Sequence, residues 1–252
     1  MRKSVSLVGV VIAVRALAVA GIAVAAKWEP VKVRAGNLEL TFNGGLTPEA
    51  VSKTKLTPVT LNVSGKIRTV DGKHPAALKE FVLEADKNTA VDVTGLPVCT
   101  AAKLQSQDTK HAEAICKAAI IGTGVGIAEI EFPEQPPIPA KSKIIAFNGG
   151  KSGATTTFYI HAYLTVPTPA AVVSTVKITK ASNGRFGTKS VTTIPKIAGG
   201  SGSVTDFNLT INKKGVILAK CPDGKIQAHG TAVFSDGTRA SAEVIRACTG
   251  KG

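Results

Sequence analysis

The stretch KIIAFNGGKSGATTTFYIHAYL, residues 143–164, decides how the chain folds. Gly150-Lys151-Ser152 resembles the end of a phosphate-cradling loop, but such a loop needs a glycine five residues before its last one, and that position is Ile145. The loop must also open a helix whose first amides hold the phosphate. Residues 155–166 alternate instead, with Phe158, Ile160, Ala162, Leu164 and Val166 on one side and Thr157, Tyr159, His161, Tyr163 and Thr165 on the other. That is the period of a strand. The stretch reads as strand, flexible connection over residues 148–153, strand. GTGVG, residues 122–126, likewise lacks the spacing of a dinucleotide loop and runs into the strand-like IAEIEF. Neither a nucleotide nor any other cofactor is expected.

Working outward, period-two segments recur in TLNVSGKIR (60–68), STVKITK (174–180) and DFNLTIN (206–212). Asp71-Gly72, Asn183-Gly184, Asp223-Gly224 and Asp236-Gly237 supply turn pairs between such segments. One helix interrupts them, in SQDTKHAEAICKAAI, where Asp108 or Thr109 can cap and Ala112, Ile115, Cys116 and Ala119 share a face. The Pro-rich segment 133–142 is the best internal boundary, because its prolines enforce an extended, unpaired connection. It divides an N-terminal β region with the helix, 27–132, from a C-terminal β region, 143–252. The expected fold is an all-β antiparallel sandwich, one large or two joined, with one short helix and two disulfides.

Residues 1–26 have Arg2 and Lys3, a long apolar run and small residues up to Ala26, the layout of a secretory signal peptide. Arg15 extends the basic region; as the centre of a retained anchor it would cost about 2.5–3.5 kcal/mol. Cleavage would leave the chain extracellular or in the cell envelope, and an uncleaved anchor is the alternative. An oxidising compartment suits the four cysteines, Cys99, Cys116, Cys221 and Cys248. Of the three possible connectivities, Cys99–Cys116 with Cys221–Cys248 keeps each pair in its own half. No C-x-x-C spacing suggests a metal site.

The net charge of +14, or +11 without Arg2, Lys3 and Arg15, attracts polyanions. Outside the membrane these are anionic cell-wall polymers or extracellular glycans rather than nucleic acid. The chain's two tyrosines flank a histidine on one face of a strand, so Tyr159, His161 and Tyr163 are the candidate binding residues, against the alternative that they simply pack. The four histidines sit apart in sequence, no G-x-S-x-G or H-E-x-x-H occurs, and Glu80 with Glu84 reads as a solvated face. No catalytic set is assigned.

TPVTLNVSGKI, HPAALKEFVLEADKN, GLPVC, LQSQDTKHAEAIC, IIAFNGG, IPKIAGGSGSVTDFNLTI, AKCPDGK and FSDGT with the later CTG together resemble a group of uncharacterised exported proteins of high-GC Gram-positive bacteria. The resemblance spans nearly all of the mature chain and all four cysteines, and implies export without implying an activity. Members often carry an aromatic, basic insertion before AKCP, where this chain has the short INKKGVILAKC. The expected function is a secreted or envelope-associated, non-catalytic binding or structural protein. A hydrolase with a site around His161 and a purely structural surface protein are the alternatives.

Overall fold

The computed structural model describes residues 28–252; the expected leader lies outside the described residues. Strands β1 (Val31–Ala35) and β2 (Leu38–Thr47) form a hairpin, β3 (Ala50–Ser52) is a stub, and β4 (Thr57–Thr69) returns along β2. Next come β5 (Leu78–Asp86), β6 (Thr89–Val91), the helical turn α1 (Ala101–Leu104) and the helix α2 (Thr109–Cys116). A meander follows: β7 (Ile120–Phe132), β8 (Gln135–Ser152), β9 (Thr155–Leu164), β10 (Ala170–Asn183) and β11 (Phe186–Thr193). The chain ends with β12 (Gly202–Ile211), β13 (Ile217–Ala219), β14 (Lys225–Phe234), β15 (Arg239–Ala247) and β16 (Thr249–Lys251).

Twelve of these strands make one continuous antiparallel path, β1-β2-β4-β12-β7-β8-β9-β10-β11-β5-β14-β15. Its two ends meet. No ladder joins β15 to β1; Val31 and Val33 instead pack in one cluster with Ala240 and Ala242. Arg246 bridges the seam with Nε donating to Gly44 O (2.7 Å) and Nη2 donating to Glu29 O and Asn43 Oδ1 (both 3.0 Å). The fold is therefore all-β and antiparallel, a nearly closed, barrel-like sheet whose facing walls pack on one another: Val63 and Leu209 of one wall share a cluster with Phe158 and Val176 of the other.

Both disulfides pair as expected, Cys99–Cys116 and Cys221–Cys248, with Cα atoms 5.7 and 6.0 Å apart. The first holds α2 against the sheet. The second closes the lower end of the sheet, where the parallel β3–β16 pair lies and Cys221 N donates to Ser52 O (2.8 Å). Asp108 caps α2 by accepting from His111 N (2.8 Å), and Ala112, Cys116 and Ala119 are buried. Ile115, expected on the same face, is 50% exposed, because the contact face of so short a helix is narrower than a full amphipathic stripe. All four turn glycines, Gly72, Gly184, Gly224 and Gly237, have positive φ.

One expectation changes. Residues 135–142 are not an unpaired connection: they belong to β8 and pair with β7, from Phe132↔Gln135 to Gly126↔Ser142. Their prolines are tolerated because β8 meets β9 only from Ile144 onward, so this part has a ladder on one side alone. Of the one large or two joined bodies left open by the sequence, the strand order of the described residues supports one. β12 lies between β4 and β7, and β5 between β11 and β14, so the halves interleave in one sheet.

GTGVG finds its reason here. A Cβ on Gly124 would sit 1.9 Å from Asn208 O, and one on Gly122 would sit 2.3 Å from Thr210 O, so β7 approaches β12 more closely than a side chain allows. Gly124→Val should lower stability by about 2–3 kcal/mol. Urea unfolding of the variant beside the parent chain measures this, and an unchanged midpoint would contradict the close approach.

Candidate functional site

An eight-stranded barrel is just filled by its inward side chains, and diameter grows with strand number. This path has twelve strands, and many of its inward residues are small: Gly126 and Ala128 on β7, Ala140 and Ser142 on β8, Ala162 on β9, Ser174 on β10, Ala228 and Gly230 on β14. Space remains between the walls. It forms a cavity of about 400 Å³, partly open to solvent and within the usual range for small-molecule sites. Leu46, Leu83, Phe158, Ile160, Val176 and Ile178 supply the larger apolar contacts around it. The outer faces carry Lys66, Arg68, Lys141, Lys177 and Lys189, all exposed. Apolar inside and charged outside is the reverse of a membrane-spanning barrel.

Polar groups gather at the lower end of this lumen. Trp28 Nε1 donates to Glu49 Oε1 (2.8 Å), and the indole lies where a Cβ on Gly45 would be, 2.4 Å from its ring atoms. Arg246 faces the same space, engaged with carbonyl and amide oxygens, and burial pushes its pKa down. Asp86 is fully buried but satisfied, accepting from Arg185 Nε (2.7 Å), Asn88 N (2.9 Å) and Gln227 N (3.0 Å). Arg185 also pairs with Asp223, whose hydrogen bonds raise the arginine's pKa and lower the aspartate's. These groups seal and orient the end of a cavity. Nothing in them pairs a nucleophile with a base.

The residues singled out by sequence lie elsewhere. Phe158, Ile160, Ala162 and Leu164 of β9 line the lumen, which turns Tyr159, His161 and Tyr163 to the outside of the wall, against α1 and α2. His161 is 0% exposed, and its Nε2 donates to Gln107 O (2.9 Å). Tyr159 packs against the cluster of Leu104, Ala112, Ile145 and Phe147, and Tyr163 is half-buried. Tyr159 and His161 fasten the helical segment to the sheet rather than present a free face. The NGG of the opening stretch does similar work. Asn148 is fully buried, with Nδ2 donating to Pro97 O (2.9 Å) and Oδ1 accepting from Gly150 N (2.9 Å). β8 continues to Ser152, so the expected flexible connection shrinks to a turn at Gly153 and Ala154.

The other histidines stay apart: His74 on Glu129 O (2.9 Å), His111 on Asp108 (2.8 Å) and His229 on Glu84 (3.2 Å). Among the described residues no group of three or more metal-ligating side chains converges, and no helix is long and apolar enough to cross a membrane. No family model matches the chain, and neither a curated protein nor a solved structure matches it.

Since a carbonyl only accepts, His161 carries its proton on Nε2, and its buried Nδ1 has no partner in the described structure. Burial lowers its pKa, offset in part by the bond to Gln107 and the charge of Asp108. The unfolded chain therefore binds a proton at a higher pH than the folded one. Stability should fall as pH drops through about 6.5 and level off below the depressed folded value. His161→Gln, which keeps a donor for Gln107 without titrating, should show a shallower loss in denaturant titrations at neutral and mildly acid pH. Equal pH slopes in parent and variant would contradict the assignment.

Proposed function

We propose that this is a non-catalytic binding protein of the extracellular space or cell envelope, which carries a small apolar molecule between the walls of its sheet. The carrying observation is the apolar lumen of about 400 Å³ inside a sheet whose exterior is charged. A chain that only needed to fold would fill this space, since empty volume forfeits dispersion contacts and costs stability. The leader-like N-terminus and the two disulfides support a location outside the cytoplasm. The same lumen argues against a purely structural role, which requires no such space. A hydrolytic site around His161 is disfavoured by that ring's burial beneath the helical segment.

The test is titration of the purified mature chain with N-phenyl-1-naphthylamine, an apolar fluorophore. Saturable binding is expected. Ala162→Phe with Ala228→Phe, both half-buried inward positions, should weaken it by about tenfold or more while leaving the melting temperature equal or higher, as cavity filling does. Tyr159→Ala should leave binding intact and cost about 3–5 kcal/mol of stability at most, as truncation of a packed aromatic does. Absence of saturable binding, or equal binding by the filled variant, would refute the proposal.

A further inference from the structure

The outer wall carries a second concavity of about 680 Å³ over β1, β2, β4, β12, β7 and β8, which shares Asn43, Ser64, Ile127 and Phe207 with the lining of the lumen. Strand register orders its lining into two parallel rows. One runs Lys32, Thr41, Lys66, Asp206, Ile127, Lys141, each directly opposite the next on the neighbouring strand. The adjacent row runs Asn43, Ser64, Asn208, Val125. With strands about 4.8 Å apart, the first row crosses about 24 Å of sheet, with lysines about 10 and 14 Å apart along it.

Charge accounting around this groove leaves those lysines in surplus. Asp206, its one carboxylate, is held by Arg68 Nη2 through both oxygens (2.8 and 3.0 Å). Nearby, Glu39 is paired with Arg34 (3.7 Å) and Glu113 with Lys143 (2.5 Å). Lys32, Lys66 and Lys141 are exposed and have no salt-bridge partner among the described residues. Glu129, two residues along β7 from Ile127, and Glu29, next to Pro30, lie close by but outside the groove's lining.

We propose that this transverse groove binds an anionic polysaccharide, a sugar chain bearing phosphate, sulfate or carboxylate groups. The chain lies across the strands, with its anionic groups on Lys32, Lys66 and Lys141. Its hydroxyls meet Thr41, Ser64 and Asn208, and its apolar faces rest on Val125 and Ile127. A concave groove favours a linear chain over the plane of a bilayer. Besides its charged groups, the lining holds one aromatic, Phe207, half-buried with its ring against Gly65, and is otherwise hydroxyl, amide and aliphatic. This favours sugars over nucleotides, which single-strand binders hold by stacking successive bases on exposed aromatics.

Heparin oligosaccharides of one length serve as the probe, with neutral dextran, anionic phospholipid vesicles and single-stranded RNA as comparisons. The mature chain should bind heparin, not dextran, with affinity falling as salt rises. The triple variant Lys32→Ala, Lys66→Ala, Lys141→Ala should lose about tenfold or more and show a salt dependence shallower by about two charges, at an unchanged melting temperature. A matched variant on the far wall, Lys177→Ala, Lys180→Ala, Lys189→Ala, should bind as the parent does. Equal losses in both triple variants would reduce the effect to diffuse charge and overturn the groove. Vesicles or RNA binding more tightly than heparin, through the same three lysines, would overturn the assignment to a sugar chain.

Discussion

A twelve-strand antiparallel path that returns to its own beginning encloses more space than its inward side chains occupy, and the rest of the structure depends on that mismatch. The ladder fixes the perimeter. Whether the interior becomes a core or a lumen is then a matter of side-chain volume, and the inward positions of β7, β8, β14 and β15 are dominated by Gly, Ala and Ser. Larger residues gather in two packed regions that also border the lumen. Val59, Phe158, Val176, Leu209 and Ile211 form one packed region, and Leu40, Phe42, Ile67, Leu78 and Phe234 another.

Closing such a sheet creates two weak points, and specific residues reinforce each. The seam between β15 and β1 has no ladder, so apolar packing and Arg246 hold it, the latter tying the C-terminal hairpin to the segment before β1. The lower end, where several strands finish, is crossed by the Cys221–Cys248 disulfide, the β3–β16 pair and the Arg185 ion pairs with Asp86 and Asp223. A covalent link there limits fraying at the end where Trp28, Glu49 and Arg246 border the lumen. The other disulfide serves a different purpose, holding a helical segment over β8 and β9 so that Ile145, Phe147 and His161 are dry on the outer side as well.

Much of this was legible in the sequence. Period two in TLNVSGKIR, DFNLTIN and the strand holding Tyr159 reads directly as β4, β12 and β9, and turn glycines mark where strands reverse. The cysteine pairing followed from the division into halves, although the halves interleave. What could not be read was which strands are neighbours: β12 between β4 and β7 is a long-range contact with no local signature. The surroundings of Tyr159 and His161 are hidden from the sequence for a related reason. Alternation shows that β9 has two faces, but not that the apolar one lines a cavity or that the helical segment covers Tyr159 and His161. The available signal was the run of small residues at alternate positions, Gly122, Gly124, Gly126 and Ala128, which suits an interior where backbones approach and side chains stay short. The groove on the outer wall needed register across six strands before its lysines fell into a row.

The central claim is that the sheet encloses a dry, apolar lumen, and xenon tests it most directly, because apolar cavities stay empty of water and take up the gas. Crystals of the protein pressurised with xenon should show the gas between the walls, near Ala162, Ile160 and Ala228, with no lattice change. Ordered water at those positions and no xenon there, or side chains closing the space, would contradict the account.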